Sequence, residues 1–248
     1  MEWQAPAVVL DIRPHGETGV VVTLLTEEHG RHAGFARGGA SRAQAALWQP
    51  GNLVEAKWVG RLADQLGAVS GEMVHAAAAL AMDDPLALAT LRAATGVAEG
   101  ALPEREAHPR LFHGLVAVIA RLAGGAEAAL PELVRWEAEL LADLGYGLDL
   151  ARCAVTGGSE DLRYVSPRSG RAVSAEAAGA WRDRLLPLPA FLLGQGPSGP
   201  VDWLAGLRLT GHFLARDVFG TQHRPLPAAR EMLVDRLAVL VAPPAELG

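Results

Sequence analysis

Residues Ala5–Arg37 read APAVVLDIRPHGETGVVVTLLTEEHGRHAGFAR. Three runs of strand length, rich in Val, Leu and Thr, are divided by two turn signals, His15-Gly16 and Glu27-Glu28-His29-Gly30. The glycines of the third run suggest a bend or bulge. Working outward, NLVEAKWVGRL (52–62) alternates Leu53, Glu55 and Lys57 against Val54, Ala56 and Trp58, the period of a half-buried strand. LGAVSGEMV (66–74) supplies a fifth strand. Five short strands joined by tight turns suit a small closed barrel.

After Ala76 the pattern changes. DDPLALATLRAATGVAEGAL (83–102) opens with Asp84 as N-cap and Pro85 at the first helical position. In PRLFHGLVAVIARLA (109–123), Leu111, Leu115, Val118, Ile119 and Leu122 form one stripe. In PELVRWEAELLADLG (131–145), Leu133, Leu140, Leu141 and Leu144 form another, with Glu132, Glu139 and Asp143 away from it. Further helices are expected at about 174–184, 200–219 and 227–241. The stretch from Cys153 to Val173 is loop-like, with Gly157, Gly158, Pro167 and Gly170. The expected class is therefore α+β in two domains. A five-stranded barrel occupies 1–78, and a helical domain occupies 79–248 with a loop insertion at about 151–173.

The chain has 248 residues, half of them hydrophobic and a fifth charged, and reads as soluble and globular. No apolar run reaches the roughly 18–20 residues of a membrane span. The start, MEWQAPAVVLDIRP, has no signal-peptide pattern, so a cytoplasmic location is expected, with no membrane partner. The lone Cys153 allows neither an intrachain disulfide nor a Cys-rich metal site. Net charge is −6, which argues against a surface coated uniformly for nucleic acid. The acidity concentrates in 81–150, which carries 5 bases and 11 acids. By contrast GRHAGFARGGASRAQAALWQPG (30–51) holds five glycines, three arginines and a histidine, and no acid.

Glycine with arginine suggests phosphate. A nucleotide loop in this stretch would need G-x-x-x-x-G-K-[ST] or G-x-G-x-x-G opening a helix, and 30–51 has neither: Gly34 and Gly38 are spaced four apart and no Lys follows. There is also no G-x-S-x-G or H-E-x-x-H, the eight histidines are scattered singly, and Asp83-Asp84 is explained by a helix start. No catalytic residue is assigned, and no cofactor. A surface that tracks a nucleic-acid backbone fits better, built from Arg13, Arg31, Arg37, Arg42, Lys57 and Arg61. Phe35, Trp48 and Trp58 are either stacking platforms or core; alternation with Lys57 points Trp58 inward, and Trp48 before Pro50 suits a plug for the barrel end. In VDWLAGLRLTGHFLARDVFG (201–220), Arg208, His212 and Arg216 share one helix face, and Arg224 and Arg230 follow. These five form a possible second DNA or partner surface, with an ordinary solvated face as the alternative.

The stretch RPHGETGVVVTLLTEEHGRHAGFARGGASR resembles the N-terminal signature of the RecO family of bacterial recombination-mediator proteins. Its elements are Gly16-Glu17, the turn Leu25-Thr26-Glu27-Glu28-His29-Gly30, and Gly34-Phe35-Ala36-Arg37-Gly38. LWQPGNLVEAKWVGR and LRLTGHFLARDVFG are also similar to that family. The resemblance implies an oligonucleotide-binding (OB) fold followed by a helical domain. It implies binding of single- and double-stranded DNA, strand annealing, and recombinase loading onto DNA coated by single-strand-binding protein. The implied partners are RecR and the acidic tail of single-strand-binding protein, and no turnover is implied. The alternative is an adaptor that recruits these proteins with little DNA binding of its own. Many members hold zinc with four cysteines. The matching positions here are Cys153, Thr156, Val173 and Glu176, which do not make a tetrahedral site, so the zinc knuckle is degenerate.

Overall fold

The computed structural model describes residues 1–42, 44–61 and 65–242. The chain divides into two compact units, Met1–Ala129 and Leu130–Gly248. The first holds five strands: β1 (Glu2–His15), β2 (Gly19–Thr26), β3 (Gly30–Ala36), β4 (Leu53–Val59) and β5 (Gly67–His75). Their order is β1-β2-β3-β5-β4, and β4 pairs back onto β1, so the sheet closes. One long strand makes this possible: Glu2–Val8 of β1 pairs with β4, while Ala7–His15 pairs with β2. A register shift between Val9 and Asp11 lies where the strand passes from one partner to the other.

Alternation fills the barrel. In β4, Val54, Ala56 and Trp58 are buried, whereas Lys57 and Val59 are exposed. Trp58 is fully buried and its indole N–H donates to the Ala33 carbonyl at 3.0 Å. Trp48 is also fully buried; a side chain at Gly71 would press on its ring. Both tryptophans are therefore core rather than stacking surfaces.

Strands β3 and β5 pair in parallel at only two positions, Gly34–Gly67 and Phe35–Ala68. The remaining edge of β3 is covered from further along the chain. The unit continues with α1 (Ala77–Leu80), α2 (Pro85–Ala101) and α3 (Pro109–Arg121). Asp84 caps α2, accepting from the N–H groups of Leu86 and Ala87. The segment between α2 and α3 forms a parallel bridge from Glu104 to Arg31, and Arg105 N–H donates to the Arg31 carbonyl at 2.8 Å. Gly30 adopts φ +61°, and a Cβ there would strike the backbone of Glu106. This close approach ties the barrel to its following helices, and the compact unit runs on past residue 78 to Ala129.

The second unit begins inside α4 (Ala126–Asp143) and contains α5 (Ala175–Ala178), α6 (Pro200–Phe213) and α7 (Ala228–Val241). A π-helical turn over Leu214–Phe219 follows α6. The stretch expected as loop carries a small sheet, β6 (Leu162–Val165), β7 (Ala172–Ser174) and β8 (Leu186–Pro187), in the order β7-β6-β8. Strands of two to four residues are too short to show a period of two in the sequence.

The core of this unit encloses an ion pair. Glu137 on α4 is fully buried and Arg230 on α7 is 2% exposed. Arg230 Nε and Nη2 donate to the two Glu137 carboxylate oxygens at 2.7 and 2.9 Å, and Nη2 also donates to the Leu207 carbonyl at 2.7 Å. The Thr210 hydroxyl donates to Glu137 as well. A Cβ at Gly211 would lie 2.6 Å from Arg230 Nη1, so glycine there makes room for the guanidinium. No helix among the described residues is long and apolar enough to cross a membrane.

Candidate nucleic-acid interface

The connection from β3 to β4 leaves the barrel as a series of turns. Gly39 N–H donates to the Ala36 carbonyl, Ser41 N–H to Gly38, and Ala40 N–H to Thr18, which ties the connection to the turn between β1 and β2. Gly38 sits at φ +68°. Arg37 and Arg42 project from this ordered segment and are exposed. Among the described residues no carboxylate pairs with either of them, as the acid-free sequence of 30–51 would predict. Phe35 points outward on β3, lies across Gly19 and meets His15 edge-on at 5.5 Å between ring centres. Arg37, Arg42, Phe35 and His15 thus gather at one end of the barrel.

Arg61 is exposed and likewise has no carboxylate partner among the described residues. It is set apart from Arg37. Phe35, Ala68 and Val59 form one rung across β3, β5 and β4, and β3 and β4 run in opposite directions. Arg37 and Arg61 each lie two residues beyond that rung on opposite sides, about 13 Å apart along the strand direction.

The other cations of the barrel are engaged. Arg13 is 67% exposed, but its Nε donates to Asp11 at 2.8 Å and its Nη2 to Glu99 at 2.9 Å. The bond to Asp11 raises the guanidinium above its ordinary range, reinforcing a charge that is permanent in any case. Lys57 Nζ lies 2.6 Å from Glu2 and holds that carboxyl below its ordinary value. The exposed pairs to Asp11 and Glu2 hold only weakly, so phosphate can displace either of those two carboxylates at small cost.

Arg31 is a correction to the sequence reading. Its side chain is only 18% exposed; Nε donates to the Leu102 carbonyl at 2.7 Å, and Glu99 and Glu104 lie within 3.7 Å. It joins β3 to the end of α2 and leaves little of its guanidinium to a polymer.

The arginines of the second unit separate in the same way. Arg208 is exposed and has no ion-pair partner among the described residues. His212 is half-buried, with its Nε2 2.9 Å from the Pro167 carbonyl. Arg216 donates to the carbonyls of Pro167 and Arg168 and forms a two-pronged bond to Asp217, which raises it above its ordinary range. Two members of the expected stripe, His212 and Arg216, therefore grip the turn between β6 and β7. Arg224 remains exposed, whereas Arg230 lies in the core and is removed from the second surface.

At the degenerate knuckle, the Cys153 sulfur accepts from the Ser174 N–H at 3.4 Å. Burial pushes this thiol up, but hydrogen bonds from Thr156 and Ser174 outweigh it and bring it down to about 6. The four matching positions supply one thiol, one hydroxyl, one apolar side chain and one carboxylate, so zinc does not fit. Among the described residues no group of three His, Cys, Asp or Glu could hold a metal ion.

Comparison with known proteins covers nearly the whole chain. Residues 1–77 match the family model for the N-terminal part of recombination protein O, and 82–226 match the model for its C-terminal part. A DNA repair protein RecO from Granulibacter bethesdensis is 59% identical over 242 residues, covering 97% of each chain. The proteins of the same name from Gluconacetobacter diazotrophicus and Acidiphilium cryptum are each 58% identical, with at least 96% of either chain covered.

Proposed function

The chain belongs to the RecO family of DNA repair proteins, with a role in recombinational repair, and we propose that it acts there as a DNA-binding mediator without enzymatic turnover. It binds single- and double-stranded DNA, anneals complementary strands and assists recombinase loading onto DNA coated by single-strand-binding protein. Its partners on this reading are RecR and the acidic tail of single-strand-binding protein, and it works in the cytoplasm at the nucleoid.

One observation carries the reading. Arg37 and Arg42 stand exposed and, among the described residues, without an ion-pair partner in an acid-free run at the end of an OB-type barrel. Unpaired guanidiniums in fixed positions neutralise phosphates without reading bases. Holding two strands with neutralised phosphates removes their mutual repulsion, which is the physical need of annealing. With a net charge of −6 the rest of the molecule opposes binding. Affinity should therefore be modest and steeply salt-dependent.

Titration of labelled single-stranded DNA with the full chain over a series of salt concentrations tests this directly. The logarithm of affinity should fall linearly with the logarithm of salt, and annealing of complementary oligonucleotides should fade over the same range. Absence of binding at low salt would contradict the proposal.

A further inference from the structure

The outer wall of the barrel carries an apolar rung. The register sets Val21 of β2, Phe35 of β3, Ala68 of β5 and Val59 of β4 side by side. Val21 and Phe35 are half-buried and Ala68 and Val59 exposed, while Val22, Ala36, Val69 and Trp58 beside them in the chain are buried. A sheet face that meets water is ordinarily polar, and the neighbouring pair Lys57–Ser70 is so. Leu66, two residues before Ala68, is 49% exposed and adds to the apolar surface. Phe35 supplies the ring of the strip. A Cβ at Gly19 would strike that ring, so the bare backbone there lets it rest on the wall of β2, with His15 edge-on against it.

Cations surround the strip. Arg37 lies two residues beyond Phe35 on one side, and Arg61 two beyond Val59 on the other. Both are exposed, with no ion-pair partner among the described residues. The rung ends on β1 in both directions: at Arg13, which pairs with Asp11 and Glu99, and at Glu2, which Lys57 holds.

We propose that this strip is a lane for the bases of single-stranded DNA, with Phe35 as its stacking ring and Arg37 and Arg61 holding phosphates on its two sides. The inference rests on the DNA-binding reading above and adds what the bases touch. Four strands span three spacings of about 4.8 Å, roughly 14 Å in all, which is room for more than one splayed base. A narrow apolar strip between two cations complements a polyanion whose bases have apolar faces. Stacking on a ring tolerates any sequence, because every base has a π-face. Duplex bases are already stacked and paired, so the lane selects single strands.

The test uses the full chain and three labelled probes of equal length, measured by anisotropy: oligothymidylate, an abasic strand with the same phosphates, and a duplex. The parent should bind oligothymidylate at least about fivefold more tightly than the abasic strand. Phe35→Ala should weaken oligothymidylate about 5- to 30-fold, the loss of one base–ring stack. Its salt slope should stay at the parent value, and its binding of the abasic strand and the duplex should stay within twofold. Phe35→Tyr should keep the parent affinity. Ala68→Glu, at an exposed position where folding is not at stake, should weaken oligothymidylate more than duplex. Equal affinity of the parent for oligothymidylate and the abasic strand would overturn the inference. So would an equal loss on all three probes in Ala68→Glu, or in a Phe35→Ala chain that keeps the parent's circular dichroism. If Phe35→Ala stays within twofold of the parent on oligothymidylate while Arg37→Ala with Arg42→Ala weakens it, this inference fails and the general DNA reading stands. If the parent binds none of the three probes, both readings fall.

Discussion

Arginine meets opposite fates in the turn after β3 and in the helices α6 and α7. Arg37 and Arg42 stand exposed with no ion-pair partner among the described residues, whereas Arg216 is spent on two backbone carbonyls and Asp217, and Arg230 is sealed against Glu137. The residue type is the same and the local sequence spacing is unremarkable in both. What differs is whether the fold delivers an acceptor from elsewhere. Glu137 lies 93 residues from Arg230, and Leu102 lies 71 residues from Arg31. Among the described residues nothing comparable reaches Arg37 or Arg42. An arginine without a fold-supplied acceptor remains available to a ligand, and one with such an acceptor becomes part of the scaffold.

Substitutions should sort these arginines by their effect on stability. The largest effect is expected at Arg230. Arg230→Ala leaves Glu137 charged and buried, which should cost about 3–5 kcal/mol in the second unit by urea unfolding. Replacing both partners with apolar residues of similar size should recover much of that loss. Arg31→Ala removes a charged donor from the Leu102 carbonyl and should cost about 1.5–3 kcal/mol in the first unit. Retention of full stability by either single variant would break the distinction between scaffold and available arginines.

A smaller effect concerns His32, which is 5% exposed and packed edge-on against Trp3 and Trp58. Burial lowers its imidazole below the ordinary value, and the charges of Arg105 and His29 add to this. The folded chain then binds fewer protons at His32 than the unfolded chain does. The stabilisation is present above the unfolded value of about 6.5 and is lost as pH falls below it. The unfolding midpoint of the parent should drop between pH 7 and pH 5, and His32→Phe should reduce that drop. Equal pH profiles for the two chains would contradict the assignment.

Much of the barrel was legible because its strands announce themselves locally. The Val and Thr runs of β1 and β2 and the alternation of β4 predict strands, and alternation alone places Trp58 inside. The acid-free run singled out Arg37 and Arg42 as DNA-binding candidates, and both are exposed without an ion-pair partner among the described residues. Arg31 and Arg230 were misread because their partners are distant in the chain, and a one-dimensional charge pattern does not show which acid arrives beside which base. Glu137 sits among other acids on α4, and nothing local separates it from Glu132 or Glu139. The helix expected at about 174–184 differs for a local reason: it is a single turn, α5, followed by a 3₁₀ turn over Gly179–Arg184.

At the small end of the stability scale are Arg37 and Arg42, whose replacement should shift stability by no more than about 0.5 kcal/mol. Their effect belongs to binding, and it tests the central claim most directly. The measurement is the salt dependence of single-stranded DNA affinity for the parent chain, for Arg37→Ala with Arg42→Ala, and for Arg31→Ala under conditions where it remains folded. The account predicts that the double variant binds more weakly and loses about two from the slope of log affinity against log salt, while Arg31→Ala keeps the parent slope. A parent slope in the double variant, or a reduced one in Arg31→Ala, would contradict it.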